Sequence, residues 1–275
     1  MAVPSYFTTG EKIAHYGLRV FVGLVLLFLI APIIAVMPLS FNSESFFTYP
    51  MPGYSLKWYE DFFFNERWTS ALRMSFIVAI ATTILATFLG TLAALGLSRA
   101  NFPAKATVMA VLISSMIVPV IISAIGMFKF YAQMGVAGTL AGVILAHTAL
   151  ATPFVVITVT ATLSSFDRSL MRAGASCGAP AHTVFFKVVM PLILPGMISG
   201  ALFAFVTSFD EVVVVLFLAS PEQRTLPLQM FSGIREMISP TITAAATVLV
   251  LISTALLVTV EMLRRRSERL RGIRS

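Results

Sequence analysis

Six apolar runs, roughly 17–39, 69–97, 106–128, 139–162, 192–218 and 240–263, leave this chain few ways to fold. Each is long enough to cross the hydrocarbon core of a bilayer, which takes about 20 helical residues. In lipid every backbone N–H and C=O must be satisfied within the protein, so only helices or a closed barrel can span. A barrel reads as short alternating strands, and no such alternation occurs here. Composition agrees: 58% of residues are hydrophobic and 11% charged, against about a quarter charged in soluble domains. The expectation is an all-α membrane protein of six transmembrane helices. A chain of 275 residues holds one such bundle over 17–263 and has no room for a second soluble domain. Pro119 and Pro153 predict kinks in the third and fourth spans.

Orientation follows from lysine and arginine. One set of connections carries Lys12, Arg19, Arg99, Lys105, Arg168, Arg172, Lys187 and six arginines of the tail; the other carries Lys57, Arg67, Arg73, Lys129, Arg224 and Arg235. Thirteen against six puts both termini and the 163–191 loop in the cytoplasm. Residues 1–16 form a short cytoplasmic segment, and the first run reads as an uncleaved span rather than a targeting peptide. The basic tail 264–275 reads as an anchor gripping the anionic inner leaflet, not as a nucleic-acid site. Cys177, the single cysteine, rules out an internal disulfide and reads as a small packing residue.

The connection 40–68 is crowded with aromatics, including Phe46, Phe47, Tyr49, Tyr54, Trp58 and Tyr59. They suit an interfacial belt. Ser55 and the residues after it also suit a capped helix lying on the outer surface, where it can meet an extracytoplasmic partner. Gly138 with Gly142, and Gly196 with Gly200, have the GxxxG spacing that lets helices approach closely. No phosphate-binding GxxxxGK[ST] loop, HExxH, GxSxG or paired-cysteine metal site occurs, so neither an ATPase nor an intramembrane enzyme is indicated. His15, His147 and His182 are scattered. His147, within the fourth span, is either a hydrogen-bonded packing residue or part of a transport path.

The polar stretch between the fourth and fifth runs has its own logic. Residues 168–176 can form a short helix with small residues on one side. Gly178 can take the left-handed conformation that ends it. Residues 179–189 can form a second helix, which Pro191 breaks before the fifth span. A short helix presented in this way suits a groove on another protein.

This loop resembles the signature loop of the permease subunits of bacterial ABC importers, E-A-A-x-x-x-G-x(9)-I-x-L-P. The corresponding residues are Arg172, Ala173, Gly174, Gly178, Val188, Met190 and Pro191. Glycine, proline and spacing match; Arg172 replaces the glutamate and Gly174 the second alanine. Arg172 can then meet an acidic residue on the partner. The segments Ser208-Phe209-Asp210-Glu211, Thr225-Leu226-Pro227-Leu228 and 233–240 look like the spermidine/putrescine branch, specifically its second permease subunit. The resemblance implies a type I ABC importer permease fold with a cytoplasmic coupling helix, in a bacterial inner membrane. It implies a second, homologous permease subunit, an ATPase dimer and a periplasmic solute-binding protein as partners. It also implies alternating access, with ATP and magnesium held by the ATPase and no cofactor or metal on this chain.

Asp210 and Glu211 interrupt the fifth run. A carboxylate at a helix centre costs roughly 2.5–3.5 kcal/mol on insertion scales, so each needs water, a cation or an interface. Counted from Leu192, Asp210 lies about 27 Å along a straight helix, toward the outer side. One carboxylate can attract a cationic amine at the outer mouth while the other holds a helix end or pairs with Arg235. A purely structural ion pair with Arg224, Arg235 or the partner subunit is the other reading. The functional expectation is part of the path for a small cationic solute such as putrescine or spermidine, with another amine, an amino-acid derivative or an opine as alternatives. A stand-alone channel or secondary carrier is the alternative of a different class, and it lacks an evident internal repeat.

Overall fold

A computed structural model describes residues 8–99, 104–164, 166–167, 169–236 and 238–270. Arg168, residues 1–7 and residues 271–275 lie outside the described residues. The helices are α1 (Thr9–Leu39), α2 (Lys57–Phe64), α3 (Glu66–Arg99), α4 (Lys105–Ile117), α5 (Val120–Gln133), α6 (Leu140–Ser164), α7 (Ser169–Ser176), α8 (Ala181–Val184), α9 (Met190–Phe209), α10 (Val213–Leu218), α11 (Leu226–Glu236) and α12 (Pro240–Leu270). Among the described residues five helices are long and apolar enough to cross a membrane, or six if α4 and α5 count as one bent span.

Two of the apolar runs are built differently from a plain helix. The third is broken: α4 and α5 meet at 106°. The cause lies in two residues. Proline disfavours helical geometry in the residue before it, and Val118 is extended at φ −66°, ψ 131°. The ladder ends at the Val118 N–H donating to Ser114 O at 3.0 Å, and restarts with the Ile122 N–H on Pro119 O at 2.9 Å. By contrast α6 runs on through Pro153.

The fifth run, expected as one helix over 192–218, is two. α9 closes at Asp210 and α10 begins at Val213. Nor does Pro191 break the chain before α9. The helix is continuous from Ala181 to Phe209, with a π turn over Phe185–Val189 just ahead of the proline. A proline ring clashes with the preceding turn and removes an N–H, and one widened turn absorbs both.

The chain divides into two compact units, 1–63 with 237–249, and 64–236 with 250–275. In the larger unit α3, α6 and α9 pack on one another around small residues. Ala86, Ala94, Ala151, Val155, Val159, Val189, Ile193 and Ala204 are buried together. Gly90 of α3 and Gly200 of α9 both face Val155 of α6, while Gly196 faces Thr158 and Thr162. The Gly196–Gly200 spacing is thus a helix contact. Gly138 and Gly142 are not: Gly138 sits in a turn at φ +74°, and Gly142 abuts the carbonyl of Val136 just before its own helix. A second buried cluster joins Val78, Ala124, Val143, Val214 and Leu218. Ser75 of α3 accepts the N–H of Leu226 at 2.8 Å and fixes the start of α11.

In the smaller unit α1 has no buried residue, as expected of a helix solvated by lipid or by another apolar surface. The capping box of Thr8 and Glu11 starts it. The segment after α1 is stitched to α2. Ser40 and Tyr59 hydroxyls meet at 2.7 Å, and Trp58 Nε1 donates to Asn42 O at 2.7 Å. Ser55 Oγ accepts the Lys57 N–H at 3.2 Å, and Thr241 donates to Asp61 at 2.8 Å. Phe62 is fully buried, whereas Phe46, Tyr49 and Tyr54 are exposed. The aromatics of 40–68 are therefore partly a folded core and partly a surface.

Candidate coupling element and solute-path residues

Two sites can be built, one at each end of α9. The first begins with Asp167. Its carboxylate accepts the Ser169 N–H at 2.8 Å and the Ser169 hydroxyl at 2.6 Å, which starts α7. The Ser169 hydroxyl and N–H hold its pKa below the usual carboxylate range, helped by the charge of Arg172. The helix ends in a Schellman motif: the Gly178 N–H donates to Ala175 O at 2.9 Å and the Ala179 N–H to Gly174 O at 3.1 Å. Gly178 has φ +80°, in the left-handed region.

One face of α7 is turned inward. A Cβ on Gly174 would lie 3.1 Å from Val184 Cγ2, so the glycine that replaces the motif's alanine lets α7 lie close on α8. Met171 and Gly174 are half-buried, whereas Leu170, Arg172, Ala173 and Ser176 are exposed. Cys177, expected to pack, is exposed where the helix ends. Of the downstream motif residues, Val188 and Met190 are half-buried and Pro191 is exposed. The residues that pack fully are Val184, Val189 and Ile193. The π turn ahead of Pro191 shifts which side chains face inward, and the motif's spacing does not show that shift.

At the other end of α9 the two acidic residues part company. Asp210 terminates the helix, its N–H donating to Val206 O at 3.1 Å, and its side chain is exposed. Glu211 is half-buried and accepts the Val214 N–H at 2.9 Å, which starts α10. The arginines have other neighbours: Arg224 donates to Gln229 Oε1 at 3.1 Å, and Arg235 lies over the Phe231 ring. Glu211 therefore holds a helix end, and Asp210 is the open carboxylate.

His147 is buried and hydrogen-bonded, as one of its two sequence readings had it, but its partner was not foreseen. His147 Nδ1 meets Ser208 Oγ at 2.8 Å and ties α6 to the last turn of α9. The only available signal was a histidine and a serine within two apolar runs. Ser208→Ala is expected to lower the stability of the detergent-purified protein by roughly 1–2 kcal/mol, since it strands a buried ring nitrogen. Thermal melts of Ser208→Ala, His147→Phe and the double variant check this, and additive losses in the double variant would argue against the pairing.

The fold defines the chain as a multi-pass, helical membrane protein. The chain belongs to the binding-protein-dependent transport system inner membrane components, whose family pattern matches residues 86–271; it is a multi-pass permease subunit of an ABC importer. It is 32% identical over 247 residues to the spermidine/putrescine transport system permease protein PotC of Haemophilus influenzae, covering 90% of this chain and 96% of that protein. It is 31% identical over 230 residues to the putrescine transport system permease protein PotI of Escherichia coli K12, covering 81% of each. In fold it is similar to a chain of the crystal structure of a bacterial ABC transporter involved in the import of the acidic polysaccharide alginate. The TM-score there is 0.73 at 14% identity, covering 96% of this chain and 99% of that one. That likeness speaks to the fold alone, the type I importer permease fold.

Proposed function

We propose that this chain is the second permease subunit of an ATP-driven importer for a small cationic amine of the putrescine or spermidine kind. The observation that carries the reading is the likeness, across 90% of the chain, to a permease named for spermidine and putrescine. Both termini and the 163–191 loop face the cytoplasm, where thirteen of the basic residues gather. A periplasmic binding protein delivers the solute, and a homologous permease subunit completes the path. An ATPase dimer, which holds ATP and magnesium, grips α7. Closing on ATP, it moves the loop, and the continuous helix from Ala181 to Phe209 carries that movement to the break at Asp210. The exposed Asp210 attracts the ammonium groups at the outer mouth, and Glu211 keeps α10 in place.

The test is reconstitution with a cognate ATPase, second permease and binding protein. ATP-dependent uptake of labelled putrescine is measured, with spermidine, γ-aminobutyrate and opines as competitors. Putrescine or spermidine is expected to be carried best; carriage by the purified chain alone, without nucleotide, would defeat the reading. Within that assay Asp210→Asn should cut amine uptake roughly tenfold at low salt, the scale of electrostatic focusing. Glu211→Gln should stay within about twofold, because the amide oxygen still accepts the Val214 N–H. Unchanged uptake in both variants would remove the attraction of cations from the mechanism.

A further inference from the structure

The coupling loop has a charge that its proposed role leaves unexplained. Over residues 163–191 three cations, Arg168, Arg172 and Lys187, stand against one carboxylate, Asp167. Asp167 accepts twice from Ser169 and feels the charge of Arg172, but its single negative charge leaves the loop with a surplus of two cations. Arg172 sits where the motif has glutamate, and it is exposed. It lies about 200° around α7 from Gly174, where a Cβ would stand 3.1 Å from Val184 Cγ2, and so on the face turned away from α8. The hollow between α7 and the helix after it, lined by Met171, Ala175, Val184, Phe185 and Val189 among others, has no acidic lining residue.

We propose that Arg172 pairs with a carboxylate of the partner ATPase, so that the coupling contact of this transporter has the opposite charge sense to the glutamate-bearing motif. The proposal rests on the reading that α7 docks on an ATPase and adds the chemistry of the surface it meets. An ATPase groove suited to glutamate presents donors or positive charge, and it would repel Arg172. Like-charge juxtaposition at an interface is costly, and that cost selects partners. The exposed Lys187 adds to the same field.

The experiment uses the whole transporter in nanodiscs, stripped of its ATPase and titrated with the purified cognate ATPase dimer. Arg172→Glu should weaken rebinding about tenfold or more, the scale of a close interfacial charge pair, with Arg172→Lys near wild type. Added salt should weaken wild-type rebinding and have less effect on Arg172→Glu. Reversing one acidic residue of the ATPase groove to lysine should restore binding to Arg172→Glu. Wild-type affinity and salt dependence in Arg172→Glu would overturn the proposal. Ala173→Trp, a bulky change on the exposed face, separates the two readings. If it abolishes rebinding while Arg172→Glu does not, docking stands and the charge pairing falls; if neither variant matters, the docking reading falls too. The titration is run in phosphatidylcholine alone and in an equal mixture with phosphatidylglycerol. A loss in Arg172→Glu confined to the anionic discs would assign Arg172 to lipid headgroups and overturn the proposal.

Discussion

Gly200→Leu is expected to leave no monodisperse permease in detergent extracts. A Cβ at this position would lie 2.6 Å from Thr158 Oγ1 and 2.9 Å from Val155 Cα. The threonine hydroxyl can rotate away, but a backbone atom cannot. Val155 has nowhere to retreat, because on its other side a Cβ on Gly90 would stand 2.6 Å from its own Cβ. Relief therefore requires α9 to move off α6, which opens the buried cluster of Ala151, Val155, Val159, Ile193 and Ala204. Overpacking by a methylene or two costs about 1–3 kcal/mol even where side chains can shift. A leucine against backbone exceeds that, and the stability of a domain is only about 5–15 kcal/mol. Gly96→Leu is the control: its Cβ meets nothing within 4 Å. Fluorescence-detected size exclusion of the two variants checks the claim. A wild-type peak for Gly200→Leu would mean that α6 and α9 do not pack as described.

Hydrophobic run length made the helical class legible, because lipid leaves the backbone no other choice. Spacing found Gly196 and Gly200 but gave equal weight to Gly138 and Gly142, whose turn conformation is set by φ rather than by period. Ala86, Gly90 and Ala94, a stripe of small residues one turn apart on α3 and all near Val155 or its cluster, went unread although their spacing was visible. The breaks were harder. Hydropathy sees no difference between an apolar helix and two apolar helices joined at Val118-Pro119 or at Asp210-Glu211. Those joints depend on which N–H loses its carbonyl and what replaces it: Pro119 O in one case and the Glu211 carboxylate in the other. The loop between α6 and α9 was legible through Gly178, whose left-handed backbone was expected. Its inner packing was not, because the π turn before Pro191 rotates Val189 inward in place of Val188 and Met190.

Gly178→Val should give a transporter that folds and assembles in the membrane yet imports almost nothing. Space is not the obstacle, since a Cβ at Gly178 would meet nothing within 4 Å. The obstacle is φ +80°, which costs an ordinary L-residue about 1–2 kcal/mol and a β-branched one more. The residue avoids that strain by leaving the left-handed region, and both closing hydrogen bonds, to Ala175 O and Gly174 O, then open. With them goes the reversal that lays Gly174 against Val184, so α7 no longer points its exposed face in a fixed direction. The helices α3, α6 and α9 do not depend on that turn, and the melting temperature should barely change. Solute-stimulated ATP hydrolysis and uptake should fall at least tenfold, since a docking element misplaced by a few ångströms forfeits most of its contact energy. The series separates backbone strain from bulk. Asparagine tolerates the left-handed region, so Gly178→Asn should retain most activity, alanine should be intermediate and valine lowest. Activity that instead tracked side-chain volume, with asparagine as poor as valine, would mean that the partner packs directly on this residue and that its conformation is incidental.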